Sequence, residues 1–331
     1  MRFFTKTPVS AVLTASALVG VGIAIGFWVI PHGSHEAKRF FADVRNAENE
    51  GRLTNQLLEC TELPEGISIG GRINLEQQIQ EKVDVLKREG KLTEAAVYYR
   101  DLNNGPWFGI NEDVPYYPAS LLKVPLAIAF YRRDQEGPGF LQTRAVFEST
   151  GQDFEAGQAF GSAKRLEGGA EYSLEDLIAI MLQDSSNEAA LLLTQIAGEE
   201  NVLDVYEDIG IPAPQFGKDY QINVHTFGSF FRILFNATYL DRAHSERILS
   251  ILTKSSFTQG IQAGLPEGTL AAHKFGTREV GDVRQLHDCG IVYAPGKPYI
   301  LCVMTQGTDF DMLADFIKEV SGTIYSAVAT Q

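Results

Sequence analysis

The chain has 331 residues, and its 28 basic and 42 acidic side chains give a formal net charge of −14. A hydrophobic content of 44% supplies a core and excludes global disorder, and the absence of any basic run argues against a nucleic-acid partner. Three cysteines (Cys60, Cys289 and Cys302) are too few for a disulfide scaffold, and the sequence has no Cys-x-x-Cys or His-rich cluster. We therefore expect no metal site.

The amino terminus carries an apolar segment. Residues 9–30 are 22 uncharged residues, which is long enough to cross a bilayer as a helix. Arg2 and Lys6 precede this run, so the positive-inside rule leaves the N-terminus in the cytoplasm and the rest of the chain outside. We predict that residues 1–31 form a retained single-pass membrane anchor. The alternative, a cleaved signal peptide, is disfavoured by the length of the run and because no clean Ala-x-Ala site follows residues 28–31.

Residues 32–91 are charged and rich in Gln and Glu. Short patches of helical periodicity, such as Ile79, Val83 and Leu86, occur within them. The pattern predicts a stalk followed by a lead-in helix with a solvated charged face. We expect the globular domain to occupy residues 92–331, with a mainly helical part over 119–250.

The globular part begins with strand signals and continues with helix signals. Residues 95–101 and 107–110 are rich in strand formers and flank a turn-like Asn-Asn-Gly-Pro, which predicts a hairpin. Ser173 followed by acidic residues predicts an N-cap and a helix through residue 182. Other predicted helices cover residues 119–133, 187–196, 202–208 and 226–240.

The chain then returns to strands. Residues 289–293 and 298–304 predict two strands around the turn at Pro295-Gly296, and residues 311–327 predict an amphipathic final helix. Strands, then helices, then strands and a helix indicate an α+β fold with a helical insertion. Cys289 and Cys302 lie on either side of the turn, where an oxidising compartment permits a disulfide. We interpret them as two buried free thiols.

Three short motifs carry candidate chemistry. Ser120 and Lys123 are spaced to share one helix face, where a lysine with a lowered pKa activates a serine nucleophile. Ser185 and Asn187 follow 65 residues later, between two predicted helices. Lys274 precedes Gly276 and Thr277 at the start of a predicted edge strand, where a lysine can hold an anion and a glycine allows close approach of a substrate.

The order of these motifs resembles that of the penicillin-recognising serine enzymes, and the surrounding sequence resembles a class A β-lactamase domain. Residues 117–125 (Tyr-Pro-Ala-Ser-Leu-Leu-Lys-Val-Pro) are similar to the nucleophile segment of that family, and residues 184–193 to its second motif and the following helix. The likeness covers residues 93–323, about seven-tenths of the chain. It implies an antiparallel sheet flanked by helices, an all-helical subdomain and an active site between them.

The resemblance also implies a role for each motif residue. Ser120 would be the acylated nucleophile, and Lys123 would be its base or part of the proton relay that activates it. Ser185 would pass a proton to the leaving nitrogen, and Lys274 would polarise Ser185 and anchor the substrate carboxylate. Asn187 would hold the amide side chain of the substrate. The backbone N–H groups of Ser120 and Thr277 would form the oxyanion hole. No metal or organic cofactor is implied.

Two departures from the family bear on function. The stretch 211–225 contains a single acid, Asp219, where family members carry a Glu that activates the deacylating water. Glu199, Glu200 and Glu207 lie earlier, on a predicted helix away from the site. The second departure is Phe275, where the family has a Thr or Ser that binds the substrate carboxylate; Thr277 or Arg278 is a possible substitute.

We therefore expect a membrane-anchored, extracytoplasmic serine hydrolase that is acylated at Ser120 by β-lactams or related amides and released slowly. One alternative is a peptidoglycan D,D-peptidase acting on peptides that end in D-Ala-D-Ala. The other is a non-catalytic module that binds wall peptides. We interpret His273 and His287 as structural or surface histidines, and the sequence does not indicate an oligomeric state.

Overall fold

The structure is a computed structural model that describes residues 53–55, 69–103, 105–149, 151–160, 165–215 and 219–329. The predicted membrane anchor and most of the predicted stalk lie outside these residues. None of the helices that are described has the length and apolar character needed to span a membrane.

Seven strands form two antiparallel sheets within the described residues. The larger sheet has the order β2-β1-β7-β6-β5, and β3 pairs with β4 in a separate two-stranded sheet. The predicted hairpin of residues 95–110 is confirmed, with Val97 opposite Ile110 and Arg100 opposite Trp107. The strands are β1 (Leu92–Asp101), β2 (Trp107–Ile110), β3 (Arg144–Val146), β4 (Glu171–Ser173), β5 (Ala271–Val280), β6 (Val283–Val292) and β7 (Tyr299–Gly307).

Eight α-helices lie within the described residues, and the predicted helices are all found with bounds shifted by a few residues. The predicted cap of α3 is confirmed, because Ser173 Oγ accepts a hydrogen bond from Asp176 N over 3.0 Å. The helices are α1 (Ile69–Arg88), α2 (Lys123–Glu136), α3 (Leu174–Gln183), α4 (Asn187–Ala197), α5 (Glu199–Asp208), α6 (Val224–Asn236), α7 (Arg242–Leu252) and α8 (Phe310–Ala329).

The large sheet separates two apolar cores. One lies between the sheet and the helices α2 to α7, and the other lies under α1 and α8 on the opposite face. Leu75, Ile79 and Val83 of α1 are buried in the second core because they recur every four residues along one helix face. The lead-in helix therefore belongs to the globular domain, and the boundary predicted at residue 92 is too late. The predicted α+β class is confirmed.

Residues 53–55 dock on the domain far from their neighbours in sequence. The carboxylate of Glu246 on α7 accepts hydrogen bonds from Leu53 N over 2.6 Å, from Thr54 N over 3.0 Å and from Thr54 Oγ1 over 2.8 Å. Asn55 N donates to Phe235 O over 2.7 Å. These bonds make the tripeptide part of the folded body.

Cys289 and Cys302 form a disulfide, so the interpretation of two free thiols is wrong. The two residues are directly opposite each other on β6 and β7. Side chains at such a pair leave the sheet on the same face, at a separation that a disulfide can bridge. Both are fully buried, which protects the bond from solvent reductants.

The disulfide predicts a simple thiol count. Protein exported from the cytoplasm and denatured without reductant should show one alkylatable thiol, Cys60, and three after reduction. The measurement is intact mass after iodoacetamide treatment. The Cys60→Ser variant is the control and should show none before reduction, whereas three thiols in the unreduced wild type would contradict the disulfide.

Candidate active site

Strand β5 lies directly against the turn that carries Ser120. Ser120 belongs to a short 3-10 helix, Ala119–Leu122, that runs into α2. A Cβ added to Gly276 on β5 would lie 3.0 Å from Pro118 O and 3.1 Å from Ser120 N, which is tighter than most contacts that a Cβ atom makes in proteins. The glycine therefore allows this approach. It brings the Ser-x-x-Lys and Lys-x-Gly motifs together, as predicted.

Lys123 is buried and donates to the second motif. Its Nζ lies 2.5 Å from Ser185 O, 2.8 Å from Asn187 Oδ1 and 3.3 Å from Ser185 Oγ. Ser120 Oγ makes no hydrogen bond within the described part of the chain, so the expected bond between Lys123 and Ser120 is not formed here. Both residues nevertheless line the same cavity, and hydrogen bonds to a nucleophile often tighten only once substrate is bound.

Lys274 approaches the same hydroxyl from β5. Its Nζ donates to Ser185 Oγ over 2.9 Å and to Phe275 O over 2.7 Å, and its side chain is fully buried. Ser185 Oγ therefore accepts from two lysines, which leaves its own proton free to be donated toward a third group. The four groups expected to act together (Ser120, Lys123, Ser185 and Lys274) meet in one place.

Burial shifts the pKa of both lysines. Desolvation lowers the pKa of Lys123 to about 7, against the opposing effect of the Glu155 carboxylate. Desolvation and the charge of Lys123 hold the pKa of Lys274 well below its usual range, while Asp288 opposes both. A large share of Lys123 is thus neutral at neutral pH, as a base for Ser120 requires.

The backbone is strained next to both serines. Ala119 has φ +50° and Ser185 has φ +57°, a left-handed conformation that L residues rarely adopt. Each such residue costs on the order of 1 kcal/mol. The motif residues are held in this geometry by the surrounding packing, which is typical of functional sites.

His287 fixes the segment before the nucleophile. Its Nε2 donates to Tyr117 O over 3.0 Å, and its Nδ1 accepts from Thr305 N over 3.3 Å, a tautomer assigned from these partners. Burial lowers the pKa of His287 to about 4 and keeps the ring neutral. His273 is also buried and pairs with Asp288 over 2.8 Å, so the prediction of structural histidines is confirmed.

A cavity of about 510 Å³ opens beside Ser120. Lys123, Asn187 and Thr277 line one part of it, whereas the wall formed by α2 and α5 is mainly apolar, with Leu126 and Val202. Gln158 and Gln215 contribute side-chain amides. Among the described residues that line the cavity, none is Asp or Glu.

The residues that depart from the family pattern lie outside this cavity. Phe275 is buried on the far side of β5, with its ring stacked on Phe257 at a centroid distance of 4.5 Å. Glu199, Glu200 and Glu207 are exposed on α5. Asp219 is exposed and accepts a hydrogen bond from Tyr117 over 3.2 Å. None of these side chains reaches the space beside Ser120.

Sequence reasoning missed one residue of the site, Glu155. Its carboxylate accepts hydrogen bonds from Ser186 Oγ and from the backbone at the start of α4. Residues 151–160 have no regular secondary structure and no motif spacing, so no pattern in the sequence could have found it.

The comparisons with known proteins agree with this geometry. A sequence profile described as the beta-lactamase enzyme family matches residues 74–328. The chain belongs to the beta-lactamase enzyme family. No curated protein sequence compared with this one matches it.

Solved structures of similar fold extend the comparison. PBP-A is 22% identical with a TM-score of 0.68, covering 82% of this chain and 100% of its own. A single-substitution variant of PBP-A, solved as an acyl-enzyme complex with penicillin G, is also 22% identical with a TM-score of 0.66, over 78% and 97% of the two chains. A β-lactamase from Chitinophaga pinensis DSM 2588 is 18% identical with a TM-score of 0.66, over 76% and 99%. At these identities the likeness shows the fold.

The lowered pKa of Lys123 predicts how the reactivity of Ser120 depends on pH. Modification of Ser120 by a fluorophosphonate should level off above a pH of about 7 and fall about tenfold per unit below it, because protonated Lys123 cannot accept the serine proton. The measurement is the labelling rate between pH 5 and 9.

Two variants control this experiment. Ser120→Ala should not be labelled, and Lys123→Arg should be labelled slowly at every pH because arginine stays charged. A wild-type rate without a bend between pH 5 and 9 would contradict the assignment of Lys123 as the base.

Proposed function

We propose that this member of the beta-lactamase enzyme family is a serine acyl-transfer enzyme, acylated at Ser120 by β-lactams or related amides and released slowly. The observation that carries the proposal is the hydroxyl of Ser185, which accepts hydrogen bonds from Lys123 and Lys274. It lies beside Ser120, whose Oγ makes no hydrogen bond to any residue that the structure describes. That arrangement places a base and a proton relay beside Ser120, with Lys274 polarising the relay from behind.

Acylation begins with proton transfer from Ser120 Oγ to neutral Lys123. The Oγ forms a bond to the carbonyl carbon of the amide, and the charge that develops on the carbonyl oxygen is stabilised by the N–H groups of Ser120 and Thr277. Support for this pairing comes from the close approach of Gly276 to Ser120 N. Each such donor typically contributes about 10²–10³ in rate.

Collapse of the tetrahedral intermediate breaks the carbon–nitrogen bond. The leaving nitrogen takes the proton of Ser185 Oγ, and Ser185 is reprotonated by Lys123, which lies 3.3 Å away. The overall transfer moves the serine proton to the amine and leaves Lys123 neutral again. Lys274 stays behind Ser185 and keeps its hydroxyl polarised.

The substrate carboxylate is bound by residues other than Lys274. Lys274 is fully buried and does not line the cavity, so its position supports polarisation of Ser185 more than a direct contact with substrate. Thr277 lines the cavity, and the guanidinium of Arg278 stacks 3.9 Å from the ring centroid of Tyr117. Arg278 has no carboxylate partner among the described residues and is free to bind an anion.

The residues around the ester of acylated Ser120 explain why the acyl group is released slowly. Hydrolysis of an acyl-serine needs a base that takes a proton from water, and a carboxylate next to the ester performs this step in the hydrolytic enzymes. The described residues that line the cavity include amides and apolar side chains but no carboxylate. The acyl-enzyme therefore has no evident route to rapid hydrolysis.

A second function, D,D-peptidase activity, is favoured because the cavity lining contains no carboxylate among the described residues. The fold match to PBP-A, whose variant was solved as an acyl-enzyme complex with penicillin G, supports a site that accepts β-lactam amides. A non-catalytic binding module is suggested by Phe275 and by the short stretch 211–225. It has less support, because Phe275 is buried away from the cavity.

We also propose an extracytoplasmic location, with the membrane anchor at residues 1–31. The apolar run of residues 9–30 supports the anchor. The Cys289–Cys302 disulfide supports the compartment, because disulfides persist outside the reducing cytoplasm.

The test of the proposed function is the fate of the enzyme with penicillin G. Intact-mass analysis should show the protein plus one whole penicillin, with the adduct on Ser120 and stable over hours. Ser120→Ala should remain unmodified. An unmodified wild type after long exposure would overturn the proposal, and release of D-Ala from a wall peptide would favour the peptidase.

Introducing a carboxylate into the cavity should speed release of the acyl group from Ser120. Gln215→Glu places an acid of nearly unchanged size among the residues that line the cavity. We expect loss of the penicillin adduct to accelerate by about 10²-fold, the lower end of what general-base catalysis contributes. Gln215→Met is the matched control and should release at the wild-type rate. Equal rates for both variants would show that residue 215 does not reach the attacking water.

A further inference from the structure

The second motif, Ser185 to Asn187, is held in place by a buried carboxylate that lies outside the three motifs. The Ser-Asp-Asn pattern typical of class A enzymes carries an acid between its serine and asparagine. This chain has Ser186 at that position, so its motif contains no acid of its own. Glu155, in the separate loop of residues 151–160, brings a carboxylate to the same turn.

The contacts of Glu155 are concentrated on this turn. Its Oε1 accepts hydrogen bonds from Ser186 Oγ over 2.7 Å, from Asn187 N over 2.6 Å and from Glu188 N over 3.0 Å. The residue is only 8% exposed. Two of these donors are N–H groups of the first turn of α4, which have no partner within the helix and favour a negative charge.

The same loop also fixes the side chain of Asn187. Its Nδ2 donates to Phe154 O over 2.9 Å, and its Oδ1 accepts from Lys123 Nζ over 2.8 Å. The backbone and the side chain of Asn187 are thus tied to neighbouring residues of one loop. The consequence is that Asn187 Oδ1 faces Lys123.

The loop also reaches the cavity. Gln158 lines the cavity and donates to the other carboxylate oxygen of Glu155. Residues 151–160 therefore connect the cavity wall to the start of α4 through the Glu155 carboxylate.

We propose that Glu155 is a positioning residue, which supplies from a separate loop the carboxylate that the Ser-Asp-Asn pattern carries within itself and so holds Ser185 and Asn187 against Lys123. The proposal rests on the proposed acyl-transfer function. It adds a residue that touches neither the substrate nor Ser120 and acts through its neighbours.

The negative charge of Glu155 also affects the pKa of Lys123, so the positioning role can be tested by more than protein stability. The charged groups that face Lys123 are Lys274, across Ser185 Oγ, and Glu155, behind Asn187. The Glu155 carboxylate raises the pKa of Lys123, whereas burial lowers it. Loss of the carboxylate charge should therefore lower the pKa of Lys123 further, and a merely structural residue would not have this effect.

The first test removes the charge and keeps the size. In Glu155→Gln, the acidic limb of the Ser120 acylation profile should move to lower pH than in the wild type. Titration of Lys123 by NMR in protein carrying lysine labelled at the Cε carbon, assigned with Lys123→Arg, should show the same shift. Glu148→Gln, an exposed acid that precedes the loop, is the matched control and should leave both unchanged.

The second test removes the carboxylate and returns it elsewhere. Glu155→Ala should lower the rate of acylation by penicillin G by about 10–100-fold, because small displacements of catalytic groups have effects of this size. Adding Ser186→Asp, which restores the acid within the motif, should recover the rate to within a few-fold of the wild type. Thermal unfolding of each variant checks that it is folded.

The outcomes separate this inference from the proposed function. Absence of a penicillin adduct on the wild type would overturn the acyl-transfer function, and the NMR titration would still test the effect of Glu155 on Lys123. A normal adduct with an unmoved Lys123 pKa in Glu155→Gln would overturn the positioning role. So would an unchanged acylation rate in folded Glu155→Ala.

Discussion

The contact on which the site depends is the pair of buried ammonium groups that share one hydroxyl. Lys123 and Lys274 are 6% and 0% exposed, and both donate to Ser185 Oγ. Two cations this close in a poorly hydrated place repel each other, and the protein reduces the cost by lowering the charge they carry. The lowered pKa of Lys123 is therefore the physical result of the packing, and the reactivity assigned to Ser120 follows from it.

The rest of the fold keeps these groups together. The helical layer presents Ser120 and Ser185, the edge strand β5 presents Lys274, and Gly276 sets how closely the two layers approach. Behind the lysines, Asp288 is buried and bonded by His273 and by Ile261 N. The Glu155 carboxylate thus acts on Lys123 and the Asp288 carboxylate on Lys274. Both carboxylates are hydrogen-bonded, as buried charges must be.

Much of this architecture could be predicted from the sequence, for reasons that particular residues make clear. Strand and helix patterns, the Ser173 cap and the three motifs are local signals, and motif order brought Ser120, Ser185 and Lys274 into one site. Two features could not be predicted. The disulfide depends on the register of β6 against β7, which spacing about a turn does not fix. The contacts of Glu155 depend on how an irregular loop packs, and its sequence has no periodicity to reveal it.

The docking of residues 53–55 on α7 has a consequence for local stability. Leu53 and Thr54 are held on α7 through three hydrogen bonds, although they precede the start of α1 at residue 69 in the chain. Local opening of α7 would displace Glu246 and release the tripeptide with it. The docking of residues 53–55 therefore depends on the stability of a helix whose bonding residue lies 193 positions later in the chain.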